Sequence, residues 1–293
     1  MRDRAAAGRH VSTAKRAGNW ASFVKVEHTL FSLPVMVAGA VLAAGALPDL
    51  AVLGWILMAG VGARTLAMAL NRLIDREVDA ANPRTADREL PSGQMSLAEG
   101  WGIAAFGLVV YTLACWNLPP ICRVLAPLPV LVFVIYPYLK RVTPFAHLGI
   151  GTALAIAPLG GWVAVRGDLG QLGAAWLLAL FTLFWVAGFD VIYATLDQES
   201  DRRTGVRSLP AWLGSQRALR VSAGFHALAV VALAVLYFRF LTGPIAGFGV
   251  GVVALLLFAA QRLADRVNLA FFRINIVVGF AVLAVVALGV TGV

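Results

Sequence analysis

The chain is built around apolar runs that are each long enough to cross a lipid bilayer. A membrane-spanning helix needs about 17–25 mostly apolar residues, and such runs recur from residue 29 almost to the C-terminus. We interpret nine runs as helices: 29–47, 50–72, 97–116, 118–138, 146–165, 172–195, 218–238, 244–261 and 271–291. Only 13% of the residues are charged, against about 25% in soluble domains. The sequence therefore predicts an all-α, polytopic membrane bundle of about nine transmembrane helices over residues 29–293; eight would also fit if 97–138 folds differently.

The basic residues predict how this bundle is oriented. With the N-terminus in the cytoplasm, the outer loops hold three of the 24 Lys and Arg residues, and Arg64 lies inside a span. The other twenty, including those of a basic N-terminal segment at residues 1–28, then lie inside. This bias follows the positive-inside rule. We expect a protein of the cell's inner, cytoplasmic membrane with its C-terminus outside, and we attribute the net charge of +9 to topology and not to a nucleic-acid partner.

The segment "NRLIDREVDAANPRTADRELPSG", residues 71–93, breaks the apolar pattern at the end of the second run. Asn71, Asp75 and Asp79 are spaced by four, which places them along one face of a helix because each residue advances 100°. Arg64 falls on the same stripe, seven residues earlier. The stripe predicts a polar site at the cytoplasmic end of this helix.

A second segment, "FDVIYATLDQESDRRTGVRSLP", closes the sixth run with the same pattern at residues 189–210. Asp197 and Asp201 are spaced by four, and Tyr193 and Asp190 precede Asp197 by four and seven. Both segments contain Asp-x-Glu-x-Asp and then Arg-x-Leu-Pro. The two helices are separated by an even number of crossings, so they run parallel. We interpret the pair as an internal repeat that points its acids to one side.

The chemistry of these residues indicates a metal and a diphosphate. Facing carboxylates repel unless cations lie between them, and Mg²⁺ prefers to bridge carboxylates to substrate phosphates. Arginines beside the acids suit an anionic phosphate. We predict Mg²⁺ ligands at Asn71, Asp75, Asp79, Asp197 and Asp201, and diphosphate contacts from Arg84, Arg88, Lys140 and Arg207.

Two other classes of membrane protein share parts of this pattern. A secondary transporter with a cation site also has repeated halves and intramembrane acids, although its site is expected near the bilayer midplane. A CDP-alcohol phosphotransferase also carries paired acids. However, "GVGAR" at 60–64 lacks the Asp-Gly of that signature.

The two motifs together identify a resemblance to the UbiA superfamily of intramembrane aromatic prenyltransferases. It is carried by Asn71-x3-Asp75-x3-Asp79, by Asp190-x2-Tyr193-x3-Asp197-x3-Asp201, and by "RTADRELPSG" and "YPYLKR", and it covers nearly the whole chain. The resemblance implies a nine-helix bundle. It also implies Mg²⁺-dependent transfer of a polyprenyl chain from polyprenyl diphosphate to a small aromatic quinone precursor. The acceptor is expected to be 4-hydroxybenzoate or 1,4-dihydroxy-6-naphthoate, for ubiquinone or menaquinone biosynthesis.

The catalytic assignments leave alternatives open. Asp190 is a candidate for orienting or deprotonating the phenol, and Tyr193 for lining the ring pocket or stabilising a carbocation through its π face. Arg64 is a candidate partner of Asp75 or Asp190, or of an acceptor carboxylate. The four histidines are scattered, and none has a partner readable from the sequence. No feature of the sequence indicates an obligate protein partner.

Small residues recur in "GIGTALAIAPLGGW", residues 149–162. Small side chains let membrane helices approach closely. We therefore expect close helix packing along the fifth run, beside a dry tunnel for the lipid tail.

Overall fold

A computed structural model of the chain describes residues 18, 20, 22–24, 29–266 and 273–292. Within these ranges the secondary structure is helical, with no strand. Most of the basic segment predicted at residues 1–28 lies outside the described residues, so its boundary stays a prediction.

The main helices are numbered here in chain order. They are α1 (Thr29–Ala44), α2 (Leu50–Ile74), α3 (Arg76–Ala81), α4 (Leu97–Trp116), α5 (Pro120–Leu125), α6 (Pro127–Val142), α7 (Ala146–Arg166), α8 (Gly173–Ala194), α9 (Gln198–Thr204), α10 (Leu209–Leu213), α11 (Ser215–Phe240), α12 (Pro244–Arg262) and α13 (Ile274–Thr291). A 3₁₀ turn, Thr195–Asp197, joins α8 to α9.

The predicted all-α membrane bundle is confirmed. Over the described ranges, eight helical segments are long and apolar enough to cross a membrane, with α5 and α6 forming one of them. The remaining predicted run, 29–47, corresponds to α1, a shorter apolar helix with sixteen described residues. The fourth run is interrupted at Ala126, and α6 starts at Pro127. Proline suits a first helical turn because it lacks the N–H that would otherwise be unsatisfied there.

The spans pack as a ring of neighbouring helices. From α2, which contacts both α4 and α6, the ring continues through α7, α8, α11, α12 and α13, and it closes where α13 packs on α1 and α1 on α7 and α2. The main core cluster joins α1, α7, α8, α11 and α13. Large apolar side chains on the outside of the ring, such as Phe106, Phe248 and Phe258, are exposed. Such a surface suits contact with lipid chains.

The repeat inferred from the sequence has a structural counterpart. The spanning helix α2 ends at Ile74 and is followed at once by the short acidic helix α3, while α8 is followed by the 3₁₀ turn and the short acidic helix α9. In both halves the acids therefore sit where a long apolar helix ends.

The small residues of α7 allow the close packing that the sequence predicts. A side chain at Gly161 would overlap the backbone carbonyl of Met36 in α1, and one at Gly151 would overlap that of Leu183 in α8. Glycine is therefore required at both positions for the backbones to approach as they do. Because α8 carries the second acidic motif, this packing also fixes the depth of that motif.

Buried polar contacts hold α8 on its other side. The hydroxyl of Ser222 donates to the carbonyl of Gly188 at 2.7 Å, and Gln261 Nε2 donates to that hydroxyl at 2.7 Å. Trp185 Nε1 donates to Asn275 Oδ1 at 2.8 Å. These bonds connect α8 with α11, α12 and α13, in a region where lipid offers a polar group no replacement partner.

We predict that Gly161→Val destabilises the protein while Gly160→Val does not. Gly160 is the neighbouring residue of the same helix, and nothing lies within 4 Å of where its side chain would point. Forcing a side chain into a packed interface costs roughly 1–3 kcal/mol. The change in helix propensity from glycine to valine is the same in both variants. Thermal unfolding in detergent should show a lower Tm for Gly161→Val alone. Equal Tm values for the two variants would contradict the packing described for α1 and α7.

Candidate active site

Both acidic motifs lie at one end of the bundle, which we call the charged end and define as residues 71–94 and 195–214. The two segments meet there directly. Asn82 Nδ2, after α3, donates to Asp197 Oδ1 at 2.7 Å across a sequence separation of 115 residues. The charged end is therefore one site built from two halves of the chain.

Asp75 is the most deeply placed acid of the first motif, with a relative exposure of 2%. Its Oδ2 accepts from Asn71 Nδ2 at 2.8 Å and from the Lys140 ammonium at 2.6 Å. Its Oδ1 is buried and has no hydrogen-bond partner among the described residues. Burial raises the pKa of the Asp75 carboxyl above its ordinary value, and the Lys140 charge opposes that rise. Lys140, from the "YPYLKR" segment, thus belongs to the site.

Asp79 lies on the next turn and is also buried. Arg88 Nη1 donates to its Oδ1 at 2.7 Å, and Arg72 Nη1 lies 3.7 Å from its Oδ2. The Thr85 hydroxyl donates to its backbone carbonyl at 2.9 Å. The loop after α3 therefore folds back over the acid. Arg88 was predicted to bind phosphate, whereas Arg72 and Thr85 were not singled out from the sequence.

Arg84 connects the two motifs. Its Nε and Nη2 donate to the two carboxylate oxygens of Asp197 at 2.8 and 2.5 Å. Its Nη1 donates to the Tyr193 hydroxyl at 2.7 Å, and its guanidinium carbon lies 4.8 Å from the centre of that ring. Burial acts to lower the pKa of Arg84, but the hydrogen bonds and charges of Asp197 and Tyr193 together outweigh it, and the pKa lies above its ordinary value. A two-pronged arginine–carboxylate pair is among the stronger polar contacts in proteins.

Asp201 and Arg207 occupy the other side of the charged end. The hydroxyl of Ser208 donates to Asp201 Oδ2 at 2.7 Å. The backbone N–H of Arg207 donates to the carbonyl of Lys140 at 2.7 Å, and its side chain donates to the carbonyl of Val142. The Arg-Ser-Leu-Pro segment thus touches Asp201 and also the helix end that presents Lys140. Arg207 contacts backbone carbonyls, and no carboxylate of the described residues is paired with it.

Asp190, near the end of α8, is paired with a histidine that the sequence did not connect to it. Its Oδ2 lies 2.7 Å from His147 Nδ1 at the start of α7. The Asp190 side chain keeps 26% of its surface exposed, whereas the His147 side chain keeps 5%. The carboxylate therefore faces open space while the imidazole is enclosed.

Arg64 lies in α2 at a deeper level than the acids. Of its predicted partners, Asp75 is bonded to Asn71 and Lys140, and Asp190 is bonded to His147. Pairing of Arg64 with Asp75 or with Asp190, and its contact with an acceptor carboxylate, all stay predictions.

The carboxylates are compensated by basic and polar groups in this structure. Among the described residues, no three His, Cys, Asp or Glu side chains lie close enough together to form a metal site. Instead, three of the acids form ion pairs: Asp75 with Lys140, Asp79 with Arg88, and Asp197 with Arg84. The predicted metal ligands and the predicted phosphate ligands are thus in contact with one another.

Fold and site together define a membrane-embedded protein whose polar chemistry is gathered at one end of an apolar helical ring. Comparison with known proteins gives the class. The UbiA prenyltransferase family matches residues 32–270. The chain therefore belongs to the UbiA prenyltransferase family, and it is a prenyltransferase.

Individual relatives agree with this assignment. A 4-hydroxybenzoate solanesyltransferase of Synechocystis is 33% identical over 256 residues, which are 85% of this chain and 86% of the relative. The structure of a UbiA homologue from Aeropyrum pernix K1 is 36% identical, with a TM-score of 0.83 over 88% of this chain and 96% of the other. A UbiA homologue from Archaeoglobus fulgidus, solved with GPP and Mg²⁺, has a TM-score of 0.64 over 91% of this chain and 99% of the other; at 17% identity it supports the fold alone.

We predict that cysteines placed at positions 82 and 197 can be joined by a short bifunctional thiol reagent. The Asn82 and Asp197 side chains are hydrogen-bonded, so a short linker spans the gap. The background should lack Cys115 and Cys122, the two free native cysteines. A pair at 82 and 168 is the matched control, because Asp168 follows the far end of the 21-residue helix α7, about 30 Å along its axis. Cross-linking of the control and not of 82 with 197 would contradict the site.

Proposed function

We propose that this prenyltransferase transfers a polyprenyl chain from polyprenyl diphosphate to 4-hydroxybenzoate, or to a closely similar aromatic acceptor, in a Mg²⁺-dependent reaction. The observation that carries the proposal is the contact between the two acidic motifs through Arg84, Asn82 and Asp197. It is supported by the name of the Synechocystis relative, a 4-hydroxybenzoate solanesyltransferase. The alternative acceptor, 1,4-dihydroxy-6-naphthoate, uses the same chemistry.

The donor atoms of the charged end suit Mg²⁺. They are hard carboxylate and amide oxygens, the ligands that Mg²⁺ takes in proteins, and the buried Asp75 Oδ1 accepts no hydrogen bond from the part of the chain that the structure describes. The residues that would hold the metal are Asn71, Asp75, Asp79, Asp197 and Asp201. When bound, Mg²⁺ neutralises the negative charge that develops on the departing diphosphate.

The basic residues would exchange partners when substrate binds. Arg84, Arg88 and Lys140 are held on carboxylates that are also the proposed metal ligands. With a cation on the acids, these three side chains would bind diphosphate oxygens instead, a geometry to which arginine is well suited. Arg207 lies beside Lys140 and completes the proposed phosphate set. Each acid would thus be compensated before and after substrate arrives.

The aromatic acceptor would lie beside Asp190 and Tyr193. Ionisation of the allylic C–O bond would leave both electrons on the diphosphate, and an electron-rich ring carbon would then bond to the allylic carbon. That ring carbon would lose its proton, to Asp190 or to the released diphosphate, which restores the aromatic ring. Asp190 would orient the phenol or accept its proton, and the Tyr193 ring would face the carbocation once Arg84 turns to the diphosphate. Arg64 would bind the acceptor's carboxylate. The apolar ring of helices would exclude water from the cation.

The proposed location follows the charge distribution. We place the charged end on the cytoplasmic side of the cell's inner membrane, because the positive-inside rule assigns most Lys and Arg to that side.

The function is tested by a transfer assay with two acceptors in parallel. Purified protein with Mg²⁺ and a polyprenyl diphosphate should prenylate 4-hydroxybenzoate faster than 1,4-dihydroxy-6-naphthoate. The reverse preference would assign the naphthoate, and transfer to neither would overturn the proposal. Asp197→Ala should abolish transfer because it loses a proposed metal ligand, and it should remain monodisperse in detergent, with a lower Tm because Arg84 and Asn82 lose their partner. Full activity of that variant would overturn the metal assignment.

A further inference from the structure

The bonds around His147 determine which of its nitrogens carries the proton. The backbone N–H of Leu209 donates to His147 Nε2 at 3.3 Å, so Nε2 is an acceptor. A neutral imidazole carries one proton, which must then lie on Nδ1. Nδ1 faces Asp190 Oδ2 at 2.7 Å, and the carboxylate accepts from it. Both ring nitrogens are occupied.

This arrangement makes His147 unsuited to relay a proton. A proton delivered to Nε2 would meet the Leu209 N–H, and Nδ1 already carries one. The ring can instead fix the carboxylate it bonds. One oxygen of Asp190 is held by the enclosed imidazole, and the side chain as a whole keeps 26% of its surface exposed, so the carboxylate stays accessible to the proposed acceptor. A group that orients a functional residue through such a bond commonly affects activity by one to two orders of magnitude.

His147 also joins the acceptor side of the site to the diphosphate side. Leu209 directly follows Arg207 and Ser208 in the chain. The Ser208 hydroxyl donates to Asp201, and the Arg207 N–H donates to the carbonyl of Lys140. The bonds therefore run from Asp190 through His147 to the Arg-Ser-Leu-Pro segment and on to a proposed metal ligand. The imidazole, the carboxylate and the Leu209 N–H come from α7, from α8 and from the first residue of α10.

We propose that His147 is a positioning residue for prenyl transfer: as a neutral, Nδ1-protonated imidazole, it fixes the Asp190 carboxylate against the acceptor and aligns it with the second acidic motif. The inference rests on the proposed function, because Asp190 is assigned there to the acceptor. It goes beyond that function by giving the histidine a role through Asp190 and by excluding direct proton transfer through the ring.

The kinetic test compares two substitutions at His147. His147→Leu removes both hydrogen bonds at similar volume, and His147→Gln keeps one donor and one acceptor. We expect His147→Leu to lower kcat about 10- to 100-fold, with KM for the polyprenyl diphosphate within about twofold. His147→Gln should recover most of kcat. A His147→Leu variant with wild-type kcat, or one that changes only KM for the diphosphate, would overturn the proposal.

A double-mutant cycle separates positioning from general structural damage. If His147 acts through Asp190, adding His147→Leu to Asp190→Asn should lower kcat by less than about twofold. The effects of substitutions at residues that act as a unit are not additive. Additive losses would overturn the proposal. If His147→Leu does not fold, the proposal is tested by the tautomer measurement on the wild-type protein described next.

A measurement without turnover distinguishes failure of this inference from failure of the proposed function. The chain has four histidines, so ¹⁵N spectra of histidine-labelled protein are simple, and the signal missing in His147→Gln identifies His147. We expect a proton on Nδ1 and none on Nε2, and loss of this preference in Asp190→Leu. A proton on Nε2 would overturn the proposal even in an enzyme that transfers prenyl groups. The expected tautomer in a protein that prenylates neither acceptor would leave the His147–Asp190 pairing intact while the transfer function fails.

Discussion

The charged end depends on one constraint: buried carboxylates at the ends of apolar helices must be compensated. An isolated ionised carboxylate is costly away from water. Here Asp75 and Asp79 are both buried, and each has a basic partner, as does Asp197. The partners come from other parts of the chain, so compensation also brings the loop after α3 and the end of α6 over the acids. The need to neutralise the acids thus shapes the polar end of the fold.

The same pairs suit the charged end to a substrate with a metal and a diphosphate. Removing one partner of a buried pair is usually more costly than replacing both. If a cation replaces Arg84 beside Asp197 while a phosphate replaces Asp197 beside Arg84, both side chains keep a partner of opposite charge. In this account, substrate and metal bind together because either alone would leave charges unpaired. The apolar ring around the site would limit the access of water, which would strengthen each of these interactions.

Much of the architecture could be predicted from the sequence because membrane helices have a strong local signal. All nine apolar runs correspond to helices, and the four-residue spacing of Asn71, Asp75 and Asp79 indicated a common face. The break at Ala126 was not predicted, since a proline can also stand inside a span. The partners of the acids were only partly predicted: Lys140 was assigned to the site through its family motif, whereas Asn82 and His147 were missed. His147 meets Asp190 across 43 residues, and helical periodicity carries no information about such contacts.

The central claim is that metal and diphosphate replace the internal ion pairs together, and their binding can be measured directly. Mn²⁺ binding to the purified protein should be followed by electron paramagnetic resonance, with and without a non-reactive thio-analogue of geranyl diphosphate. The account predicts that the analogue tightens Mn²⁺ binding by about tenfold or more, within the usual range of coupling between sites, and that Asp197→Asn abolishes the effect. Equal Mn²⁺ affinity with and without the analogue, or undiminished coupling in the variant, would contradict it.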